Sequence, residues 1–152
     1  MDGKQQMVMR LFSMPLIAFT MMLSACGETK YADVSTQPGY REMVGVTYTI
    51  VGPVSAYGIR KHSKAAMEFV SVIPPPGIDG PEVGFRIPIM LGATLTVVSV
   101  YKTNRVFDPD ISLGVKLNEV DIPANLPIRV DLMRGNQGAD KLSLNPAMFR
   151  RN

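Results

Sequence analysis

The chain has 152 residues, of which 46% are hydrophobic and 19% are charged, and this length suits a single domain. Its one cysteine excludes an intrachain disulfide, and one cysteine with one histidine excludes a zinc site built from those two residue types. The net charge of +3 is too small to indicate nucleic-acid binding, while thirteen glycines and twelve prolines are typical of short strands separated by turns.

The first residues have the profile of an export signal. Lys4 and Arg10 precede an apolar run that begins at Leu11 and ends at Leu23. As a helix this run would span about 20 Å, which is shorter than the roughly 30 Å hydrocarbon core of a bilayer. Residues 1–25 are therefore predicted to be a signal peptide rather than a permanent transmembrane helix.

The end of this segment carries a short motif, Leu23-Ser24-Ala25-Cys26. It resembles the lipobox of bacterial lipoprotein precursors, in which a branched apolar residue and two small residues precede the lipidated cysteine. The resemblance implies that a signal peptidase cuts between Ala25 and Cys26. It also implies that Cys26 carries acyl chains such as palmitate, which anchor the mature protein on a membrane. The alternative is an ordinary secretory signal followed by an incidental cysteine.

The same resemblance implies a location in the bacterial cell envelope. In that family an Asp directly after the lipidated cysteine often retains the protein in the inner membrane, and this chain has Gly27 there. The mature protein is therefore expected at the outer membrane, facing the periplasm, if the host is Gram-negative. Residues 26–40, which are mostly small and polar, are predicted to form a flexible tether.

Beyond residue 40 the hydrophobic residues alternate with a period of two, which indicates half-buried strands separated by Gly, Pro and Asp turns. Pro88 places its run at a sheet edge or a bulge. Residues 41–136 are therefore predicted to form an all-β domain, a small barrel or sandwich of about seven antiparallel strands, followed by a polar tail at 137–152. The predicted strands are 46–50, 54–59, 67–73, 83–90, 94–101, 111–117 and 128–132.

A cluster of basic side chains lies between the second and third predicted strands. Arg60, Lys61, His62 and Lys64 follow Tyr57 within a few residues. Aromatic and Arg side chains often anchor protein interfaces, and Lys adds electrostatic steering. These five residues are predicted to contact a protein partner. The alternative is a solvated turn, with binding at a sheet edge or near the Pro-Pro-Pro-Gly turn.

No linear motif for catalysis or metal binding stands out. The sole histidine, His62, sits among cations that disfavour its use as a base beside a nucleophile. A partial calcium-loop register has Leu113 at the position that needs glycine, and the alternation there favours a strand. That register comprises Asp108, Asp110, Ser112 and Glu119.

These observations favour a non-enzymatic function: a membrane-anchored lipoprotein whose β-domain binds an envelope protein or a secreted effector or hydrolase. Its role would be that of an accessory, an inhibitor or an immunity protein. No cofactor, metal, nucleic-acid partner or particular oligomeric state is predicted. The alternative is a small-ligand or lipid carrier, or an enzyme whose site forms only in the fold, with Tyr101, Asp108 and Glu119 meeting in a barrel mouth.

Overall fold

The computed structural model describes residues 29–105, 109–123, 125–133 and 135–152. In this part the chain is all-β, with one short 3₁₀ helix at Arg41–Met43. The predicted signal peptide, the cleavage site at Ala25 and Cys26, and Asp108 lie outside the described residues. The strands are β1 (Tyr31–Asp33), β2 (Thr47–Ile50), β3 (Val54–Ile59), β4 (Phe69–Ile73), β5 (Val83–Ile89), β6 (Thr94–Thr103), β7 (Ile111–Leu117), β8 (Ile128–Asp131) and β9 (Phe149–Arg151).

The seven predicted strands are confirmed as β2 to β8, with ends within two residues of the expected positions. Together with β1 and β9 they form one nine-stranded sheet in the order β5-β3-β4-β8-β7-β6-β2-β9, with β1 beside β6. β5, which contains Pro88, is an edge strand. Proline has no amide hydrogen to donate to a neighbouring strand, and an edge position tolerates this. One detail of the expectation is wrong: β4 and β8 run parallel. Because β5, β6 and β7 lie between them in the chain, no hairpin makes this pair antiparallel.

The sheet is open and sandwich-like rather than a closed barrel, and its connections require it to fold over on itself. β2 and β3 lie five places apart in the strand order, about 24 Å in a flat sheet, yet only residues 51–53 join them. Such a link spans at most about 14 Å. β5 and β6 are equally far apart in the order and are joined by 90–93 alone. The two ends of the sheet therefore approach each other across the core.

The inner face of the sheet forms an aliphatic core. Val100, Leu113 and Val130 lie opposite one another on β6, β7 and β8, and all three are fully buried. Burial of such side chains, at about 25 cal/mol per Å² of apolar surface, is the main stabilising contribution to a domain of this kind. Other core members are Ile50, Val54, Ala56, Val70, Val72, Leu95, Val97, Leu144 and Phe149.

Two expectations about the ends of the domain are wrong. The described part of the predicted tether, residues 29–40, joins the sheet through β1, and Val34 from the same segment is buried in the core. The predicted polar tail contributes Leu144 and Phe149 to the core, and β9 pairs with β2. Both strands are only three residues long, so isolated apolar residues in polar sequence gave no alternation to detect, and distant pairing decides their structure.

Asn136 fixes the point where the C-terminal segment crosses β4. Its side chain is buried, and Asn136 Nδ2 donates to the Val72 carbonyl at 2.8 Å. The Asn136 carbonyl accepts a hydrogen bond from the Asn145 N–H at 2.7 Å. Because leaving buried polar groups without partners costs free energy, these bonds hold the segment against the sheet.

Candidate functional site

Arg60, the first of the predicted contact residues, is held by the loop before β5. Arg60 Nε donates to the Pro81 carbonyl at 3.0 Å, and the Arg60 N–H donates to the Glu82 carbonyl at 2.9 Å. The side chain is half-buried. Arg60 therefore stabilises the connection between two neighbouring strands, and only part of its surface is open to a partner.

The other basic residues lie where the sequence predicted, in the loop between β3 and β4. Lys61, His62 and Lys64 are exposed, and the His62 carbonyl closes a turn by accepting from the Ala65 N–H at 2.9 Å. Lys61 Nζ lies 3.8 Å from Glu68 Oε1, both largely solvated. An exposed ion pair of this kind contributes under about 1 kcal/mol. The structure brings these residues together on the surface.

The assignment of Tyr57 to a partner contact is wrong. Its side chain is 1% exposed, because Gly77 of the following loop lies directly over the phenol oxygen. Gly77 has φ +81°, and a Cβ there would collide with Tyr57 Oη. The Arg86 guanidinium lies 5.5 Å from the centre of the Tyr57 ring. Tyr57 is thus a buried packing residue of the outer face.

The outer face of the sheet, opposite the aliphatic core, carries a continuous row of directly paired residues. The row crosses six strands, and its members have polar, aromatic or minimal side chains instead of aliphatic ones. In order from β5 to β6 they are Arg86, Tyr57, Ser71, Arg129, Gly114 and Ser99.

Arg129 is the centre of an aromatic cluster on this face. Its guanidinium carbon lies 4.7 Å from the ring centre of Phe69, 4.9 Å from that of Tyr31 and 5.5 Å from that of Tyr101. We call these four residues the Arg129 cluster. Gly114 makes room for it, because a Cβ on Gly114 would come within 3.1 Å of the Tyr101 ring. Each ring attracts the cation through its quadrupole by about 0.5–2 kcal/mol.

Arg129 is the cation of the cluster. Within the described residues Arg129 makes no ion pair, and its buried Nε has no hydrogen-bond partner. Burial raises the pKa of Tyr31 above its ordinary value of 10.0, and the carboxylates of Asp131 and Asp110 raise it further, against the opposing effect of Arg129. The cluster can therefore hold β1 against the sheet with Tyr31 in its neutral form.

Sequence reasoning missed this cluster entirely. Its four residues come from β1, β4, β6 and β8, and no local spacing relates them. The only weak signal was the single Arg within the alternating run of β8, at a position whose side chain faces away from the core.

A second exposed feature is the turn between β5 and β6. Met90 and Leu91 are 77% and 66% exposed, the largest values among the exposed large hydrophobic residues of the described part. Hydrogen bonds connect the backbone of the turn to β2: the Gly92 N–H donates to the Ile50 carbonyl at 2.9 Å, and the Ile50 N–H donates to the Ala93 carbonyl at 2.8 Å. We call this feature the Met90–Leu91 tip.

The alternative catalytic grouping does not form. Tyr101 pairs with Ser112, whereas Glu119 follows Leu117 at the far end of the same β6–β7 ladder. Ser112 and Leu117 are about 17 Å apart along the strand. Asp108, the third member, lies outside the described residues. Tyr101 and Glu119 therefore cannot share one substrate-sized site.

The middle of the partial calcium register is a strand, as the alternation indicated. Ile111–Leu117 is β7, and Asp110 Oδ2 pairs with Arg105 Nη1 at 3.1 Å. Across the described ranges, no three His, Cys, Asp or Glu side chains are grouped so that they could hold a metal ion.

Comparison with known proteins adds no relative. The chain has no significant match among protein-family models, curated proteins or solved structures. In the part that the structure describes, there is no helix with the length and apolar character needed to cross a bilayer.

Proposed function

We propose that this chain is a bacterial lipoprotein, anchored at Cys26, whose β-domain binds another protein of the cell envelope or a secreted effector or hydrolase. The lipobox-like residues Leu23 to Cys26 support the anchor. Gly27 supports an outer-membrane position facing the periplasm in a Gram-negative host. The role is that of an accessory, an inhibitor or an immunity protein.

The position of β1 determines how such an anchor would hold the domain. Lys30 and Asn104 exchange two hydrogen bonds of 3.0 Å, so the chain is already part of the fold at Lys30. Only four residue steps separate Lys30 from Cys26, a span of at most about 14 Å. The domain would therefore sit close to the membrane, with the β1 end of β6 nearest to it.

The observation that carries the proposal is the position of the Met90–Leu91 tip. β1 pairs with the last residues of β6, and the tip immediately precedes its first residues. β6 is ten residues long, about 30 Å, so the tip lies at the opposite end of this strand from the attachment point. Met90 and Leu91, the most exposed large hydrophobic residues of the described part, would thus point away from the membrane.

Physical chemistry favours a protein as the occupant of this tip. Transfer of a Met or Leu side chain from water into an apolar pocket is favourable by about 1.5–3 kcal/mol. The hydrogen bonds of the turn already hold the backbone that carries both side chains, which reduces the backbone entropy lost on binding. Such a contact contributes most binding free energy when the partner is a folded protein with an apolar pocket.

The test is co-purification of the full-length chain from detergent-solubilised membranes. Leu91→Asp should reduce capture of the principal partner by about ten-fold or more, since it places a charge in the interface. Val98→Asp is the matched control, because Val98 is an exposed residue of β6 (53%) away from the tip. Equal capture by the two variants and the unaltered chain would exclude the tip as the contact.

The basic turn is the competing contact surface, and charge reversal tests it separately. Lys61→Glu with Lys64→Glu is the sharper variant, because Arg60 also stabilises the fold. If the turn contacts the partner, capture should fall by about five-fold and the loss should shrink at high salt. A loss with this variant but none with Leu91→Asp would move the contact to the turn.

The anchor has its own test. Cys26→Ala should leave an unprocessed or soluble precursor, and metabolic labelling with a fatty-acid probe should lose its signal. Labelling of the unaltered chain that does not depend on Cys26, or no labelling at all, would contradict the anchor while leaving the binding proposal standing.

A further inference from the structure

A groove of about 640 Å³ lies between the 3₁₀ helix and the C-terminal segment. Its floor is apolar and largely buried, with Met43, Tyr48, Leu144 and Phe149 all under 10% exposed. This volume falls within the range of about 300–1,000 Å³ that is typical of ligand sites. Its charged lining residues are Glu42, Arg150 and Arg151.

The groove runs beside an open edge of the sheet. β9 pairs with β2, and no described strand lies on its other side. The Val51 N–H donates to the Met148 carbonyl at 2.9 Å, and the Asn152 N–H donates to the Thr47 carbonyl at 3.0 Å. Because hydrogen-bonded pairs alternate along an antiparallel ladder, the N–H and C=O of Arg150, midway between them, also face β2.

The neighbouring residues of β9 therefore direct their backbone groups away from β2. The Phe149 N–H is already used, since it donates to the Asn145 carbonyl at 2.9 Å. The Arg151 N–H, the Arg151 C=O and the Phe149 C=O remain on the open side. Such a row of backbone donors and acceptors is the template for addition of another strand.

Charge restricts what kind of strand fits. Arg151 pairs with Tyr48 and so shares the face of the groove, whereas Arg150 pairs with Thr49 on the other face. Both Arg side chains are exposed, and neither has an ion pair within the described residues. An incoming strand would meet Arg151, Glu42 and the apolar floor on the groove face, and Arg150 on the other face, so its apolar side chains suit the groove face and its acidic side chains suit the Arg150 face.

We infer that the β9 edge and this groove bind an extended, acidic and apolar segment of another protein as an added strand. This inference names a binding mode for the protein partner of the proposed function and uses a different surface from the Met90–Leu91 tip. A second copy of this chain is disfavoured, because β9 against β9 would bring four Arg side chains together. An acyl chain in the groove is also disfavoured, because it could not form hydrogen bonds with the open backbone groups of Phe149 and Arg151.

The test uses the purified full-length chain in detergent and a dye-labelled peptide of alternating valine and glutamate, followed by fluorescence anisotropy. The valines would face the groove and the glutamates would face Arg150. We expect saturable binding, and at least about ten-fold weaker binding by Arg150→Glu with Arg151→Glu. A peptide of alternating valine and lysine and the variant Lys116→Glu, at an exposed position of β7, are the controls.

A proline substitution tests the backbone contact separately from charge. Arg151→Pro removes an N–H that faces away from β2, so the β2–β9 ladder is retained. Arg151→Ala also removes the Arg side chain but keeps the backbone N–H. We expect Arg151→Pro to bind the valine–glutamate peptide about five-fold more weakly than Arg151→Ala, with circular dichroism showing both variants folded.

Several outcomes would overturn the inference. These are no binding of the valine–glutamate peptide by the folded chain, equal binding of the valine–lysine peptide, or equal affinity of the Pro and Ala variants. A dimer in light scattering that Arg151→Pro dissociates would assign the edge to a second copy. Displacement of the peptide by dodecanoate, with no difference between Pro and Ala, would assign the groove to an amphiphile.

Failure of the proposed function is distinguishable from failure of this inference. Leu91→Asp should leave binding of the valine–glutamate peptide unchanged. If the peptide binds as expected but Leu91→Asp does not reduce partner capture, the tip is excluded and the β9 edge stands. If Leu91→Asp reduces capture and the peptide does not bind, the reverse holds.

Discussion

The two faces of the sheet are both buried across its centre, but different residues bury them. On the inner face Val100, Leu113 and Val130 fill the centre of the core with aliphatic groups. On the outer face Ser71 and Ser112 are under 5% exposed, although they are polar. The inner face depends on buried area, and the outer face depends on a few side chains and a loop that lie over it.

This difference predicts how each face responds to substitution. Removing methyl or methylene groups from an aliphatic core lowers the free energy of unfolding in proportion to the groups removed, because neighbouring side chains collapse only partly into the cavity. The outer face instead contains specific contacts, such as Gly77 against Tyr57 and Arg129 among three rings. Substitutions on the outer face should lower the free energy of unfolding less on average. Their effects should depend on the geometry of the contact that is changed rather than on the side-chain volume that is removed.

The largest expected effect is on the inner face. Leu113→Ala should lower the free energy of unfolding by about 3 kcal/mol, because Leu113 is fully buried between Val100 and Val130. Lys116→Ala, at an exposed outer position of the same strand, should change it by under about 0.5 kcal/mol. Urea titration measures both, and similar losses for the two variants would mean that the faces do not differ in this way.

The same comparison explains what the sequence predicted. Alternation with a period of two located β2 to β8 and assigned residues such as Leu113 and Val115 to the core, because one buried face imposes that period. The basic cluster of Lys61 to Lys64 could be placed in an exposed loop because it lies between two of these strands. These features depend on neighbours in the chain.

The features that sequence reasoning missed depend on distant contacts. Tyr57 alternates correctly with the core residues, yet it is buried because a later loop covers it. Tyr31 meets Arg129 only after β1 and β8 have both joined the sheet, and β9 is too short to show a pattern. Burial on the outer face therefore could not be separated from exposure by alternation alone.

The covering loop gives the second prediction. Gly77→Ala should cost about 2 kcal/mol or more, because Ala is strained at φ +81° and its Cβ would collide with Tyr57 Oη. Gly92→Ala is the matched control: Gly92 has φ +90° but nothing lies near its would-be Cβ, so only the backbone cost of about 1 kcal/mol applies.

Tyr57→Phe separates the two contributions at Gly77. Removing the phenol oxygen removes the atom nearest to the new Cβ, so Gly77→Ala should cost less in that background. The cost should stay above that of Gly92→Ala, because ring carbon Cζ would still lie 2.8 Å from the new Cβ. Thermal unfolding of the four variants measures this. Equal costs of Gly77→Ala with and without the phenol oxygen would show that the loop does not pack against Tyr57.

A smaller effect is expected in the Arg129 cluster. A double-mutant cycle with Arg129→Met and Phe69→Leu should give a coupling energy of about 0.5–1 kcal/mol, since the guanidinium lies 4.7 Å from the ring centre. The pair Arg86 and Tyr57 has a longer separation of 5.5 Å and an exposed Arg, so its cycle should give less. A coupling near zero for Arg129 and Phe69 would remove the outer face's main cation–aromatic contribution.

The smallest expected effect is the pH dependence that Tyr31 adds. Burial, with the charges of Asp131 and Asp110, raises the pKa of Tyr31 in the folded protein above its unfolded value near 10. The folded state therefore holds the phenol proton more tightly, and the stability linked to it is fully present below pH 10 and is lost as the pH rises through the folded pKa. Urea midpoints measured between pH 8 and 11 should fall more steeply for the unaltered chain than for Tyr31→Phe.

Because Tyr31 is 43% exposed, solvent weakens this effect, and the difference should be small beside that of Leu113→Ala. If the urea midpoints of the two proteins fall equally between pH 8 and 11, Tyr31 is no more shielded from water than in the unfolded chain. Only the backbone pairing with β6 would then hold β1 against the sheet.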